Sequence, residues 1–315
     1  MNRQPFADFG FLMPPPSVLV LYNEPVLAPD HPEAASEYDV LDTVADTVKV
    51  LRAAGFAVRQ LGISLDPQPL LEELRGYRPD AVFNLFEGVP THTVTEVSVA
   101  AMLEWLNIPF SGCPPLTLAL GRDKIRTKHL LRAAGLPTPE YAIVDRLPVP
   151  LWQGDWPAIV KPALQDASVG IDQESVVTNH FQLNDRVRYI LDRYGGPVLI
   201  EQFLTGREFH VHAIEDGSDI SKAKIEILPP AEIAYRKDAT TPWPLYTYTA
   251  KWNMESDEFH ASPIITPVFL PDVIMAVLRD TAERAFRLLQ CRDLARLDVR
   301  MSSNGVCHVL EVNPN

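Results

Sequence analysis

The sequence predicts an α/β chain whose C-terminal half is α+β, and three observations carry that reading. Between Ser17 and Phe110, short β-branched runs alternate with segments of helical period, as in a parallel sheet with helices on both faces. Later strands follow one another with fewer intervening helices, and the last twenty residues read as an antiparallel hairpin. A chain of 315 residues also exceeds what one core usually supports, so two or three lobes are expected.

Ser17 to Tyr22 (SVLVLY) is a continuous apolar run, the mark of a strand buried on both faces. A helix follows from an N-cap at Ser36, with Asp39 at the capping-box position and Val40, Leu41, Val44, Val48 and Leu51 at helical spacing, and stops before Gly55. The alternation continues with a strand at Phe56–Leu61, a helix at Pro69–Leu74, a strand at Ala81–Phe86, a helix at Thr93–Leu106 and a short strand at Ile108–Phe110. Ser111-Gly112-Cys113-Pro114-Pro115 reads as a boundary, after which Leu116 to Ala134 is largely helical. Strands follow at Glu140–Val144, Ala158–Lys161, Ser175–Thr178, Val198–Glu201 and Glu208–Ile214, with a helix around Gln182–Tyr194. An irregular Pro-rich stretch from Pro229 to Pro244, a helix from Pro271 to Leu289 and the hairpin complete the chain. The lobes are expected at 17–113, 114–204 and 205–315, behind a disordered arm over 1–16 whose Phe9–Met13 patch, broken by Gly10, is neither a signal peptide nor a membrane span.

The hairpin carries the first chemical clue. Asn304-Gly305 between two alternating runs is a strong signal for a two-residue turn, and it sets Asp298 opposite Glu311 and Arg296 opposite Asn313. Period two then puts these four side chains on one face and Leu297, Val299, Leu310 and Val312 on the other. Two carboxylates roughly 5 Å apart across a ladder repel, and a divalent cation turns that repulsion into attraction. Carboxylate and amide oxygens suit Mg²⁺; an incidental acid pair on a solvated face explains the same residues.

Net charge is −13 and no run of Lys or Arg interleaves with aromatics, so nucleic acid and anionic membranes are poor partners. Cys113, Cys291 and Cys307 are odd in number and lack metal-ligand spacing, which suits a reducing, cytoplasmic setting. Serine-hydrolase elbows, His-Glu-x-x-His, Walker and dinucleotide glycine motifs are absent from the sequence.

Several weaker signals precede the hairpin. Ile159-Val160-Lys161-Pro162 ends an apolar strand in a lysine, and Gln165 to Gly170 (QDASVG) is a small-residue loop that can bring backbone N–H groups to phosphates. Asp123-Lys124 opens a helix, and Val198 to Leu204 runs from a strand into a crossover segment. His210 and His212 share a strand face with Glu208 and could ligate zinc, which leaves a zinc hydrolase as an alternative.

Taken in order, Asp123-Lys124, Val160-Lys161-Pro162 with Ser168-Val169-Gly170, Glu201-x-Phe203-Leu204 with Glu208, Ala250-Lys251, Arg296-x-Asp298 and Glu311-x-Asn313 resemble the ATP-grasp superfamily, nearest to the D-alanine–D-alanine ligases. The resemblance runs from about Ser17 to the end. It implies an ATP-grasp fold, with an N-terminal doubly wound parallel-sheet lobe and two α+β lobes clasping ATP. It also implies a carboxylate–amine ligase that joins two small amino acids through an acyl phosphate, in peptidoglycan synthesis. Lys124, Lys161 and Ser168 would meet the ATP phosphates, Glu201, Phe203 and Leu204 would hold adenine, and Glu208 the ribose. Asp298, Glu311 and Asn313 would bind Mg²⁺ or Mn²⁺, with Lys251 on the γ-phosphate and Arg296 on the oxyanion. A homodimer is compatible with it.

The first lobe departs from the family. His-Gly and Gly-Glu-Asp-Gly elements give way to Phe83-Asn84-Leu85-Phe86-Glu87-Gly88, and the first glycine-rich loop to Tyr22-Asn23-Glu24-Pro25. Glu37 and Glu87 are the candidate contacts to a substrate ammonium. The family continues past its last metal ligand into a Gly/Ser segment that helps hold the second substrate, so a sequence stopping at Asn315 is either a truncated one or one that binds its acceptor incompletely. A nucleotide-binding protein without ligase turnover is the alternative that these departures leave open.

Overall fold

The computed structural model describes residues 14–31, 34–89, 92, 94–216, 224–237 and 241–314, so most of the predicted arm, its apolar patch and Asn315 lie outside the described residues. The N-terminal part runs β1 (Ser17–Asn23), α1 (Ala34–Ala53), β2 (Ala57–Ile63), α2 (Gln68–Gly76), β3 (Ala81–Leu85) and α3 (Thr95–Trp105). Its sheet is parallel in the order β2-β1-β3. Alternation along β1 sorts the helices: Leu19 and Leu21 pack with Leu70 and Leu74 of α2 and Leu103 of α3, while Val20 packs with Val44 and Val48 of α1. The sheet is therefore covered on both faces, as its continuous apolar run predicts.

Two local expectations change here. α1 begins at Ala34, so Ser36 lies in its first turn rather than at its cap. Ile108–Phe110 contributes one parallel bridge, Phe110 to Val82, rather than a strand. Pro109 lacks the N–H that a longer ladder would need.

The predicted helix over Leu116–Ala134 is two helices, α4 (Pro115–Arg122) and α5 (Lys124–Ala133). Asp123 breaks the first and caps the second, accepting the Arg126 N–H at 2.9 Å. β4 (Tyr141–Val144), β5 (Ala158–Pro162), β6 (Val176–Val177), α6 (His180–Tyr194) and β7 (Val198–Gln202) follow, and their antiparallel sheet has the order β4-β7-β5-β6. Ala158 and Val160 of β5 and Val198 and Ile200 of β7 pack on Leu183, Val187 and Ile190 of α6. Period two then turns Ile159, Lys161 and Glu201 to the opposite face.

The remainder runs β8 (Glu208–Asp216), β9 (Lys224–Ile227), β10 (Ala231–Ile233), α7 (Tyr248–Trp252), α8 (Asp257–Ala261), β11 (Ile264–Ile265), α9 (Asp272–Leu288), β12 (Leu294–Met301) and β13 (Cys307–Pro314). The sheet order is β11-β10-β8-β12-β13, with β9 paired to β8. β10 lies inside the stretch expected to be irregular. Pro229 and Pro230 stand ahead of it, where a missing N–H costs the ladder nothing. Phe209, Val211, Leu297, Val299, Val309 and Val312 face Leu278, Ala282 and Phe286 of α9, and Leu118 and Leu131 of α4 and α5 join the same core. Each such large side chain, fully buried, stabilises by roughly 1.5–3 kcal/mol.

The hairpin pairs Arg296 with Asn313 and Asp298 with Glu311, as expected, yet two departures cancel to produce that register. Ser302 and Val306 pair across a three-residue loop, the Ser302 N–H donating to Val306 O at 2.9 Å, with Gly305 at φ +83°. The Gly305 N–H also donates to Ser302 O at 3.0 Å, so the loop is a tight turn closed by a left-handed glycine. It shifts Val299 opposite Val309, and a bulge beside Asp298/Val299 absorbs Leu310 and restores the register at the acids. Val309, not Leu310, therefore enters the core, and Leu310 turns to the cleft.

Candidate active site

β8, β12 and β13 present a second face, opposite α9, and it looks across a cleft at the outer face of β5 and β7. Lys161, Ser168, Glu201, Phe203, Leu204, Glu208, Lys251, Arg296, Asp298, Glu311 and Asn313 all line one cavity there, of about 260 Å³. Ile159, Leu245, Tyr246 and Leu310 add apolar walls, and none of the four was expected from the sequence. An apolar slot beside charged groups suits a ligand that is apolar at one end and charged at the other.

Glu201 is fully buried and ion-paired with two lysines, Lys161 and Lys128. Burial opposes its charge, but the two lysines outweigh it and hold the carboxyl below its usual range. Lys128, one helical turn after Lys124, was missed. Its only sequence signal is a lysine on the apolar side of α5, and burial pushes its pKa down to about 8.

Lys124 is buried as well. Its Nζ donates to Gln165 O at 2.6 Å and pairs with Asp166 at 2.9 Å and Glu311 at 2.6 Å. Burial opposes the charge, but Asp166 and Glu311 prevail and raise the pKa. This lysine thus joins the small-residue loop to the hairpin. In that loop Ala167 and Ser168 both have left-handed backbones, at φ +54° and +62°, a conformation that costs non-glycine residues on the order of 1–2 kcal/mol each. The loop is held by Trp252 Nε1 donating to Ala167 O at 3.2 Å and Ser168 Oγ donating to Tyr246 O at 3.2 Å.

Glu208 accepts from Tyr235 Oη at 2.6 Å and pairs with Arg300 at 3.0 Å, so its carboxylate is oriented before any ligand arrives. On the hairpin face Arg296 pairs with Asp298 at 2.8 Å, and Asn313 Nδ2 donates to Asp298 Oδ2 at 3.2 Å. Asp298 is held ionised: burial opposes its charge, and Arg296 and then His210 overcome that.

Among the described residues no group of three or more His, Cys, Asp and Glu side chains is placed to hold a metal ion. That removes the zinc reading of His210 and His212; His210 Nε2 instead lies 3.7 Å from Asp298. Mg²⁺ needs only one or two carboxylates from a protein and completes its shell with phosphate oxygens and water. Asp298, Glu311 and the Asn313 amide supply such a partial set, their charge meanwhile balanced by Arg296 and Lys124.

A second cavity, of about 430 Å³, opens on the N-terminal side and is lined by Glu37 and Glu87. Lys251, Arg296 and Asn313 line both cavities, so the two meet at a cationic wall. Burial, and then repulsion from Arg296, lower the Lys251 pKa. Glu37 spends Oε2 on the Val26 and Leu27 N–H groups at 3.1 and 2.7 Å, while Oε1 is buried without a partner. Arg122 pairs with Glu96 at 2.7 Å and Asp166 at 2.8 Å, tying α3 and α4 to the loop after β5.

Residues 130–315 match the family described as D-ala D-ala ligase C-terminus. The chain belongs to the D-alanine–D-alanine ligase family. Among relatives of that family, it is 30% identical over 273 residues to a D-alanine–D-alanine ligase of Alcanivorax borkumensis, covering 85% of this chain and 78% of that one. It is 31% identical to the ligase of Marinomonas sp., over 84% of this chain and 77% of the other. It is 33% identical to the uncharacterized protein y4sG of Sinorhizobium fredii over 74% of this chain, but spans only 64% of y4sG. The fold matches the solved D-alanine–D-alanine ligase of Bacillus anthracis complexed with ATP, with TM-score 0.69 and 18% identity over 94% of this chain and 85% of that one. D-alanyl-alanine synthetase A of Vibrio cholerae gives TM-score 0.70 at 20% identity, over 96% and 89%. These likenesses establish the ATP-grasp fold. No helix of the described residues is long and apolar enough to cross a membrane.

Proposed function

We propose that the chain is an ATP-dependent carboxylate–amine ligase joining two small amino acids, with D-alanine the first candidate for both. The observation that supports this best is the junction of the two cavities at Lys251, Arg296 and Asn313. A nucleotide seated between Ile159, Phe203 and Leu310 would direct its γ-phosphate to that wall, and an amino acid in the larger cavity would present its carboxylate from the other side.

In this reading the donor carboxylate attacks the γ-phosphate, releasing ADP and forming an acyl phosphate. Lys251 carries no ion pair among the described residues and would meet the transferring phosphoryl group, while Arg296, which lines both cavities with it, would stabilise the oxyanion of the second step. A fixed cation there lowers a barrier by a few kcal/mol. Lys161 and the Ala167–Ser168 backbone would hold the phosphates, Glu201 and Leu204 the adenine edge, and Glu208 the ribose hydroxyls. Asp298, Glu311 and Asn313 would hold Mg²⁺ or Mn²⁺, which offsets phosphate charge when bound. Glu37 would bind the donor ammonium through Oε1. The enzyme would act in the cytoplasm, where its three cysteines, all free, stay reduced.

The test is ADP release from purified protein with Mg·ATP and a panel of D- and L-amino acids. Amino-acid-dependent release supports the reading. ATP binding with no release for any pair contradicts it.

A further inference from the structure

Glu87 lies just past β3, and its backbone is fixed from two sides. Its N–H donates to Asn23 Oδ1 at 3.4 Å, and its carbonyl accepts from Arg122 Nη2 at 2.9 Å. Gly88 follows at φ +91°. The carboxylate itself makes no hydrogen bond or ion pair among the described residues, and it lines the larger cavity. The groups facing it are Lys251 from α7, Arg122 from α4, Arg296 from β12 and Asp166 from the loop after β5. Glu96 of α3 lies beyond Arg122, which it pairs at 2.7 Å.

The cavity therefore holds two carboxylates with capacity to spare, on different elements: the orphaned Oε1 of Glu37 and the whole of Glu87. Joining two amino acids brings two ammonium groups to one cavity, and they need opposite treatment. The donor's must stay charged and anchored. The acceptor's must lose a proton, because an ammonium has no lone pair with which to attack.

Resting on the ligase reading above, we propose that Glu87 is the general base that deprotonates the acceptor's ammonium. The carboxylate takes one proton from R–NH3⁺, leaving R–NH2. The nitrogen lone pair forms the C–N bond at the acyl carbon, and the C–O bond to phosphate breaks with its electron pair going to inorganic phosphate. The second proton on nitrogen leaves with that phosphate.

The surroundings narrow the gap between the two groups. The Glu87 side chain is open to the solvent of the cavity, and the walls crowded around it raise its pKa, only partly opposed by Lys251 and Arg122. An ammonium brought against Lys251 and Arg296 is pushed toward its neutral form by the same positive wall. Base and acid are thus moved toward each other, as proton transfer requires.

Hydroxylamine tests the assignment, because it is already a neutral amine at neutral pH and needs no base to attack an acyl phosphate. The amino acid giving fastest ADP release is supplied as donor, with either itself or hydroxylamine as acceptor, to wild type, Glu87→Gln and Glu87→Asp. The expected result is that Glu87→Gln lowers dipeptide formation about a hundredfold or more, while hydroxamate formation stays within about threefold of wild type. Glu87→Asp is expected to recover part of the dipeptide rate. It also keeps the test alive if the glutamine variant does not fold. Proportional loss of both products, or retention of both, overturns the base role. A wild type that makes no hydroxamate with any donor overturns the ligase reading and this role with it.

Discussion

Breaking the Lys128–Glu201 ion pair from its two ends should give different results. Glu201, Lys161 and Lys128 are all buried, and the cluster holds two cations against one anion. Glu201→Gln removes the anion and leaves two uncompensated buried cations, a change that typically costs about 3–5 kcal/mol. Lys128→Met keeps the volume of the stem, leaves the Lys161–Glu201 pair intact and makes the cluster neutral. It loses the hydrogen bond from Nζ to Thr138 Oγ1, 2.9 Å in the structure, worth about 1 kcal/mol, and gains from removing the excess charge. Lys128→Met should therefore lie within about 1 kcal/mol of wild type in urea denaturation. Its pH dependence should differ too. The folded Lys128 pKa is depressed to about 8 from the usual 10.5 of a lysine. Between those values the unfolded state binds more protons, so wild-type stability gains a contribution as pH rises through that window, and Lys128→Met lacks it. Equal destabilisation by the two variants would refute the charge argument.

Three further outcomes follow from the geometry. A Cβ at Gly206 would lie 2.2 Å from the Met301 carbonyl oxygen, which is backbone and cannot swing away; Gly206→Ala should cost about 1–3 kcal/mol, and an unchanged melting temperature would contradict the contact. Glu311→Gln removes the charge of a proposed metal ligand while Lys124 keeps Asp166 as a partner. The Mg²⁺ concentration for half-maximal ADP release should rise about tenfold with the fold intact, and an unchanged requirement counts against the site. Glu37→Gln should raise KM for the donor amino acid about tenfold or more, as expected for a lost charge-assisted contact, with kcat less affected; a loss confined to kcat would remove Glu37 from ammonium binding.

Residues that share a periodic element were legible in the sequence, and those placed by loops or by compensating irregularities were not. The faces of β8, β12 and β13 follow from period two, which is why Glu208, Arg296, Asp298, Glu311 and Asn313 meet in one cavity. The hairpin register was right at the acids although the turn was not two residues long, because the bulge at Leu310 offset the longer loop. The same bulge hid Leu310 as a cleft residue, since no local pattern announces an extra residue in a strand. Lys128 was missed for another reason: its one signal, a lysine on the apolar side of α5, is weak on a helix with several charges, and only Glu201 of β7 shows that it is buried and paired. Likewise Arg122, Glu96 and Asp166 come from three separate elements, and nothing in sequence spacing brings them together.

The central claim is that a donor carboxylate is phosphorylated before the amide forms. The most direct measurement supplies the donor amino acid with both carboxylate oxygens replaced by ¹⁸O and follows the label by mass spectrometry of the released inorganic phosphate. One labelled oxygen per phosphate is expected, carried from the C–O bond that breaks when the amine attacks. Phosphate released at the rate of ADP but free of label would contradict it.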